Sequence, residues 1–146
     1  MDFQTSVKTC LKQKYAGFSG RASRSEYWWF VLAYVIGAVI LSLPGIWVLS
    51  ILYALALLSP AAAAGFRRLQ DTGRPGWYIA IPTALSLLNT LTAPDMSSMR
   101  HGVVPSGMGG FALLGLVQLV VGLVFLWWLT RPSDPGTNDY GPPSAT

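Results

Sequence analysis

Long apolar runs without charge alternate along this chain with short polar stretches. Residues 27–66 contain no Asp, Glu, Lys or Arg, and Pro44-Gly45 interrupts that run near its middle. Two further uncharged runs occupy residues 75–94 and 102–130. A helix needs about 20 apolar residues to cross the hydrocarbon core of a bilayer. The pattern therefore predicts four spans, at residues 27–43, 46–66, 76–91 and 110–129, the third being the shortest. Pro44-Gly45 marks the turn of a hairpin between the first two. Lipid offers the backbone no hydrogen-bond partners, so each run is read as helix. The expected fold is an all-α membrane protein with four transmembrane helices.

The polar stretches carry their own periodicity. Phe3, Val7, Leu11 and Tyr15 recur every four residues with Lys8 and Lys12 on a neighbouring face, which predicts an N-terminal amphipathic helix lying at the membrane interface. Ser23-Arg24-Ser25-Glu26 has the spacing of a capping box, in which the serine accepts from the amide three residues on and the glutamate reaches back. That gives Glu26 a structural role at the start of the first span. At the end of the second span, Arg67 and Arg68 complement the partial negative charge of a helix C-terminus, and Gly73 suits the left-handed residue just beyond it. Pro75 then fits the start of the third span. Inside the spans the polar residues are uncharged, and Asn89 and Gln118 are read as interhelical hydrogen-bond partners. The Ala61 to Ala64 run, with Ala61 and Gly65 at small-residue spacing, reads as close helix packing.

Composition removes the soluble alternative. With 52% hydrophobic and 11% charged residues in 146, the chain is too apolar for an ordinary soluble domain. The first apolar run begins only at residue 27 and leads straight into a second, which argues against a cleaved signal peptide. Charge then orients the helices, because Lys and Arg favour cytoplasmic loops. Lys8, Lys12, Lys14, Arg21, Arg24, Arg67, Arg68, Arg74 and Arg131 fall on alternate sides that coincide, and of the ten basic residues only Arg100 falls opposite. Both termini are thus expected in the cytoplasm. Trp28, Trp29, Trp77, Trp127 and Trp128 fall at the same interface, with Trp47 on the outer side. Three parts follow: a cytoplasmic N-terminal segment at 1–26, a four-helix transmembrane domain at 27–129 and a cytoplasmic tail at 130–146. The net charge of +4 reflects this orientation, and no nucleic-acid motif accompanies it. One cysteine, Cys10, forms no intramolecular disulfide framework.

Three stretches carry a family resemblance. They are Phe18-Ser19-Gly20-Arg21-Ala22-Ser23-Arg24-Ser25-Glu26-Tyr27-Trp28-Trp29-Phe30, then Arg67-Arg68-Leu69-Gln70-Asp71-Thr72-Gly73-Arg74-Pro75-Gly76-Trp77, and Pro135-Gly136-Thr137-Asn138-Asp139-Tyr140-Gly141-Pro142. In order and spacing they resemble the bacterial family catalogued as domain of unknown function 805, the YhaH-like inner-membrane proteins. The resemblance covers nearly the whole chain. It implies a multi-pass protein of the bacterial inner membrane and supplies no catalytic assignment. Gln70 departs from it, since family members usually carry histidine there.

The candidate site is the charge cluster these stretches place on one side of the membrane: Arg21, Arg24, Glu26, Arg67, Arg68, Asp71, Gly73, Arg74 and Trp77. Arginine's planar fork pairs with carboxylates or phosphates. In one reading Glu26 and Asp71 pair with arginines of the other motif and lock the first three spans. In the other, part of the cluster holds anionic lipid headgroups or a phosphorylated ligand. On the opposite side Met96, Met99, His101 and Met108 share one loop whose soft ligands would suit Cu(I), although their spacing matches no metal motif. No cofactor is expected. His101 is the only histidine and falls across the membrane from Cys10, so no Cys-His pair or Ser-His-Asp triad forms, and the chain is read as a non-enzyme. The expected function is a membrane binding or scaffold module, its partners the bilayer with its anionic lipids, a membrane protein or a second copy of itself. The runner-up is a transporter or channel subunit that builds its pathway by oligomerising.

Overall fold

The computed structural model describes residues 1–42 and 47–144, and among them there is helix and irregular chain but no strand. The hairpin turn expected at Pro44-Gly45 lies outside the described residues. Five α-helices follow one another: α1 Phe3–Lys8, α2 Arg24–Ser42, α3 Trp47–Asp71, α4 Ala80–Leu91 and α5 Met108–Thr130. A π-helical turn, Thr9–Gln13, extends α1, and short 3-10 turns occupy Gly76–Ile79 and Met96–His101. Three helices are long and apolar enough to cross a membrane: α2, α3 and α5, of 19, 25 and 23 residues. The third expected span is resolved as the 3-10 turn followed by the 12 residues of α4. At 1.5 Å per residue α4 alone is ~18 Å long, against a hydrocarbon core of about 30 Å.

The chain forms two compact units, Met1–Tyr78 with Leu129–Thr146, and Ile79–Trp128. In the first, α1 starts where the Asp2 side chain accepts from the Thr5 amide at 2.7 Å. It buries the small residues Ser6, Thr9 and Cys10, and the Ser6 hydroxyl donates to the Glu26 carbonyl of α2. Small side chains permit that close approach. The apolar stripe lies largely outside this contact: Phe3 and Tyr15 are exposed, Phe3 sets its ring edge-on to Trp29, and Leu11 reaches the core of Cys10, Phe30 and Ala64.

The helices α2 and α3 pack through Gly37, where a side chain would collide with the Tyr53 ring, and Tyr53 donates to the Tyr34 carbonyl at 2.9 Å. Pro60 sits buried inside α3. Having no N–H, it leaves the carbonyl of Ala56 without its helical donor. Tyr15 supplies a hydroxyl to that carbonyl, and Ser59 returns a bond to the Tyr15 carbonyl at 3.3 Å. The proline thus creates a docking point for the N-terminal segment. Beyond Pro60, Ala63 and Ala64 are fully buried.

The end of α3 comes later than its apolar run suggested, with Arg67 to Asp71 still helical and buried. Their charges are neutralised by partners described below. Termination is a Schellman motif: Gly73 adopts φ +72°, its amide donates to the Gln70 carbonyl at 3.1 Å, and the Arg74 amide donates to Leu69 at 3.0 Å.

In the second unit, side-chain hydrogen bonds are few and mostly local. Thr83, Thr90 and Thr92 donate to carbonyls of their own helical turns. Gln118 of α5 donates to the Pro82 carbonyl of α4 at 3.4 Å, while the buried amide oxygen of Asn89 has no partner. Of the two amides read as interhelical partners, Gln118 alone finds one among the described residues.

Candidate functional site

Two buried carboxylates organise the polar end of the first unit. Glu26 lies one turn into α2, started by Ser23, whose hydroxyl accepts from the Glu26 amide at 3.2 Å. The serine half of the capping box is therefore formed. The carboxylate turns across to α3 and accepts from Arg67 at 3.0 Å. Arg67 also donates to the carbonyls of Gly17, at 2.6 Å, and Lys14, at 3.3 Å, so one guanidinium joins α2, α3 and the segment leading out of α1.

Asp71 has two partners. One oxygen accepts from Arg21 at 2.9 Å and the other from Arg68 at 2.5 Å, three residues back on the same helix. Arg21 then reaches into the tail, donating to the carbonyls of Asp134 at 2.5 Å, Gly136 at 2.7 Å and Gly141 at 3.3 Å. Arg68 donates to the carbonyl of Leu129 at 3.0 Å and to that of Arg131. Between the arginines, the Ala22 amide donates to the Arg67 carbonyl at 3.2 Å. Three guanidiniums facing two carboxylates leave one positive charge in excess, and backbone carbonyls, two of them near helix C-termini, take it up.

The tail is held from the other side as well. The Asn138 side chain donates to the Gln70 carbonyl at 3.0 Å and to the Asp134 carboxylate at 3.1 Å, and Asn138 and Gly141 exchange backbone bonds in a tight turn. The Asp134 amide donates to the Asp71 carbonyl at 2.9 Å. At Gly73 the left-handed backbone and the tail act together, because a side chain there would come within 2.8 Å of the Asp134 carboxylate. Gly76 is buried against Phe66, whose ring occupies the space of any side chain at that position.

Of the nine sequence-predicted residues, the structure brings Arg21, Glu26, Arg67, Arg68 and Asp71 into one knot, each no more than 4% exposed. Gly73 closes the helix beside it. Arg74 is half-buried and donates to the Thr72 carbonyl at 3.1 Å, and Trp77 is exposed with its ring edge-on to Tyr78. Arg24 is not part of the knot. It is exposed and has no hydrogen bond or ion pair among the described residues. Met96 and Met99 are exposed on the 3-10 turn of the second unit, and the side chain of His101 lies outside the described residues.

Sequence reasoning missed the tail acceptors, Asn138 and Cys10. The Asn138 and Gly141 positions were visible as part of a distinctive ending, but backbone carbonyls carry no side-chain signature. Cys10 is fully buried, with its sulfur 3.8 Å from Arg67. Burial, reinforced by the nearby Glu26 carboxylate and opposed by Arg67, pushes the thiol up to about 11. Gln70 is buried with its amide oxygen unpartnered, so its side chain contributes nothing to the knot through that atom.

This arrangement joins separate chain segments through buried ion pairs. Its guanidiniums bond carboxylates and carbonyls, while the buried Nε of Arg67 has no partner among the described residues. The family model described as "Protein of unknown function (DUF805)" matches residues 15–142, from the exit of α1 to the tail turn. Inner membrane protein YhaH of Escherichia coli (strain K12) is 27% identical over 140 residues, covering 89% of this chain and 88% of that protein. Inner membrane protein YhaI of the same organism is 47% identical over 73 residues, 44% of this chain and 59% of that protein. No solved structure matches.

Proposed function

The chain belongs to the DUF805 family and is a multi-pass protein of the inner membrane, and from that premise we propose that it serves there as a binding or scaffold module built on an internally locked cytoplasmic face. The observation that carries this is the burial of Arg21, Arg67 and Arg68 against Glu26, Asp71 and the tail carbonyls. A cluster meant to receive a phosphate would keep part of its donor fork open to solvent. Here the forks join α2, α3, the N-terminal segment and the tail into one surface, leaving Arg74 and Trp77 at its margin.

The topology belongs to the same proposal: four crossings, both termini in the cytoplasm, and α1 at the interface. Arg68 bonds carbonyls at the end of α5, which puts that end beside the end of α3. That neighbourhood of helix ends supports one further crossing between α3 and α5. The segment Gly76–Ile79 with α4 is the remaining candidate, and local thinning of the bilayer accommodates a short span at modest cost. The positive-inside bias puts the shared end in the cytoplasm. Phe3 on α1 and Tyr15 just beyond its π-helical turn are exposed and suited to the headgroup boundary.

The test is in-cell photocrosslinking from a probe replacing Trp77, at native abundance. A discrete protein adduct that is lost when Asp71→Asn loosens the knot is expected. No adduct at Trp77, or robust solute flux from the purified protein in liposomes, would contradict the scaffold reading, the latter in favour of an oligomeric transporter.

A further inference from the structure

One cation outside the knot, Arg24, opens the helix whose next three turns line an apolar groove. Ser25, Trp28, Trp29, Val31, Leu32 and Val35 of α2 line a cavity of about 450 Å³. Arg24, the first residue of α2, precedes Trp28 by four positions, Val31 by seven and Val35 by eleven, so these side chains share one helical face. Arg24 is exposed and unpartnered among the described residues, while Trp29, Leu32 and Val35 keep 40%, 43% and 48% of their surface.

From this geometry we infer that the face of α2 below Arg24 is a binding site for one anionic phospholipid, its phosphate on the Arg24 guanidinium and one acyl chain in the groove. The dimensions agree. Ser25 to Val35 spans ~15 Å along the helix axis, about half of a 30 Å hydrocarbon core and hence the depth of one leaflet. Charge selects the headgroup. A guanidinium at the top of a membrane-length helix, unmatched by any carboxylate, is complemented by a phosphate with no compensating choline or amine. A second copy of the chain is the competing occupant, and it would show itself as a restricted-lipid signal that does not distinguish the two headgroups. Trp28 and Trp29 stand at the depth where indole rings favour the headgroup boundary, and they wall the groove beneath the charge. The inference rests on the proposed orientation only for which leaflet supplies the lipid. It also moves the lipid contact out of the buried cluster, where no fork is open, to the one arginine of the N-terminal motif that is.

The full chain is reconstituted into symmetric vesicles carrying trace spin-labelled phosphatidylglycerol or phosphatidylcholine, and the motionally restricted fraction gives relative affinity. Preference for phosphatidylglycerol of about fivefold is expected, the factor supplied by one basic side chain at an anionic surface. Arg24→Gln should bring that preference close to unity with the unfolding temperature unchanged. Trp28→Ala, which keeps the charge, should lower the restricted fraction of both lipids. Equal restriction of the two lipids by the wild type, preference retained in Arg24→Gln, or preference lost in Lys12→Gln with Arg24 intact would each overturn the site. Symmetric vesicles make the result independent of topology, and crosslinking at Trp77 bears on the cytoplasmic face alone, so either proposal can fail without the other.

Discussion

The two units are built from opposite materials. The first concentrates buried charge: three arginines and two carboxylates form three ion pairs of 2.5 to 3.0 Å, and a tail with no regular structure bonds Arg21 and Arg68. The second is nearly devoid of charge along its helices and exposes leucine and valine along α5, with one interhelical side-chain bond, Gln118 to Pro82, among its described residues. In the first unit, removing one partner strands the others away from water, so each polar contact is costly to lose. In the second, lipid tails are as apolar as the side chains they meet, and association depends on close packing with small polar contributions. The difference teaches where specificity resides. Apolar helices are interchangeable in lipid, whereas a knot of fixed partners fixes which ends meet.

The largest effect should come from Asp71→Asn, which leaves Arg21 and Arg68 without a charged partner in a fully buried site. A loss of about 3–5 kcal/mol is expected, read as a lower unfolding temperature in detergent and lower abundance in cells. An unchanged melt would mean the knot contributes little. Next comes Cys10. Because its thiol is raised to about 11, labelling by a soluble maleimide at neutral pH should be roughly 100-fold slower than for an ordinary thiol, with burial slowing it further. The folded state holds this proton more tightly than the unfolded chain. Its contribution to stability is therefore complete below about pH 9 and is lost as pH rises through about 11. Rapid labelling at neutral pH would show the first unit open where it is described as closed. The smallest effect belongs to the second unit, where Gln118→Leu should change stability by about 0.6 kcal/mol or less, the average for polar contacts between helices in lipid. A loss comparable to that of Asp71→Asn would erase the contrast between the units.

Much of the architecture was legible in the chain because its signals are local. Uncharged runs located α2, α3 and α5, Ser23 marked the start of one helix, and Gly73 marked the end of another. Of the nine residues the motifs suggested, Arg21, Glu26, Arg67, Arg68 and Asp71 are buried and ion-paired, whereas Arg24, Arg74 and Trp77 are not buried. Their connectivity was not legible. Arg21 and Asp71 are 50 positions apart, and no periodicity chooses between Arg21 and Arg24 as the partner. Burial made that choice: Arg21 precedes the helix and is buried against Asp71, while Arg24 opens the helix and stays exposed. The tail was unreadable for a different reason, because its contribution is made by the carbonyls of Asp134, Gly136 and Gly141, and any residue has one. The face of α1 was legible only in part. Its apolar stripe announced the lipid boundary, but its close contact is made by Ser6, Thr9 and Cys10, whose small size matters more than their polarity.

The central claim is that these buried charges act as coupled partners holding the end of α3 to its neighbours. A double-mutant cycle on Glu26 and Arg67 in the full chain, using Glu26→Gln, Arg67→Met and the pair, measures it by thermal unfolding in detergent. The account predicts strong non-additivity, with a coupling of about 1–3 kcal/mol and a double variant more stable than the sum of the single losses implies. Losses that add to within about 0.5 kcal/mol would show that the two groups do not act as a pair.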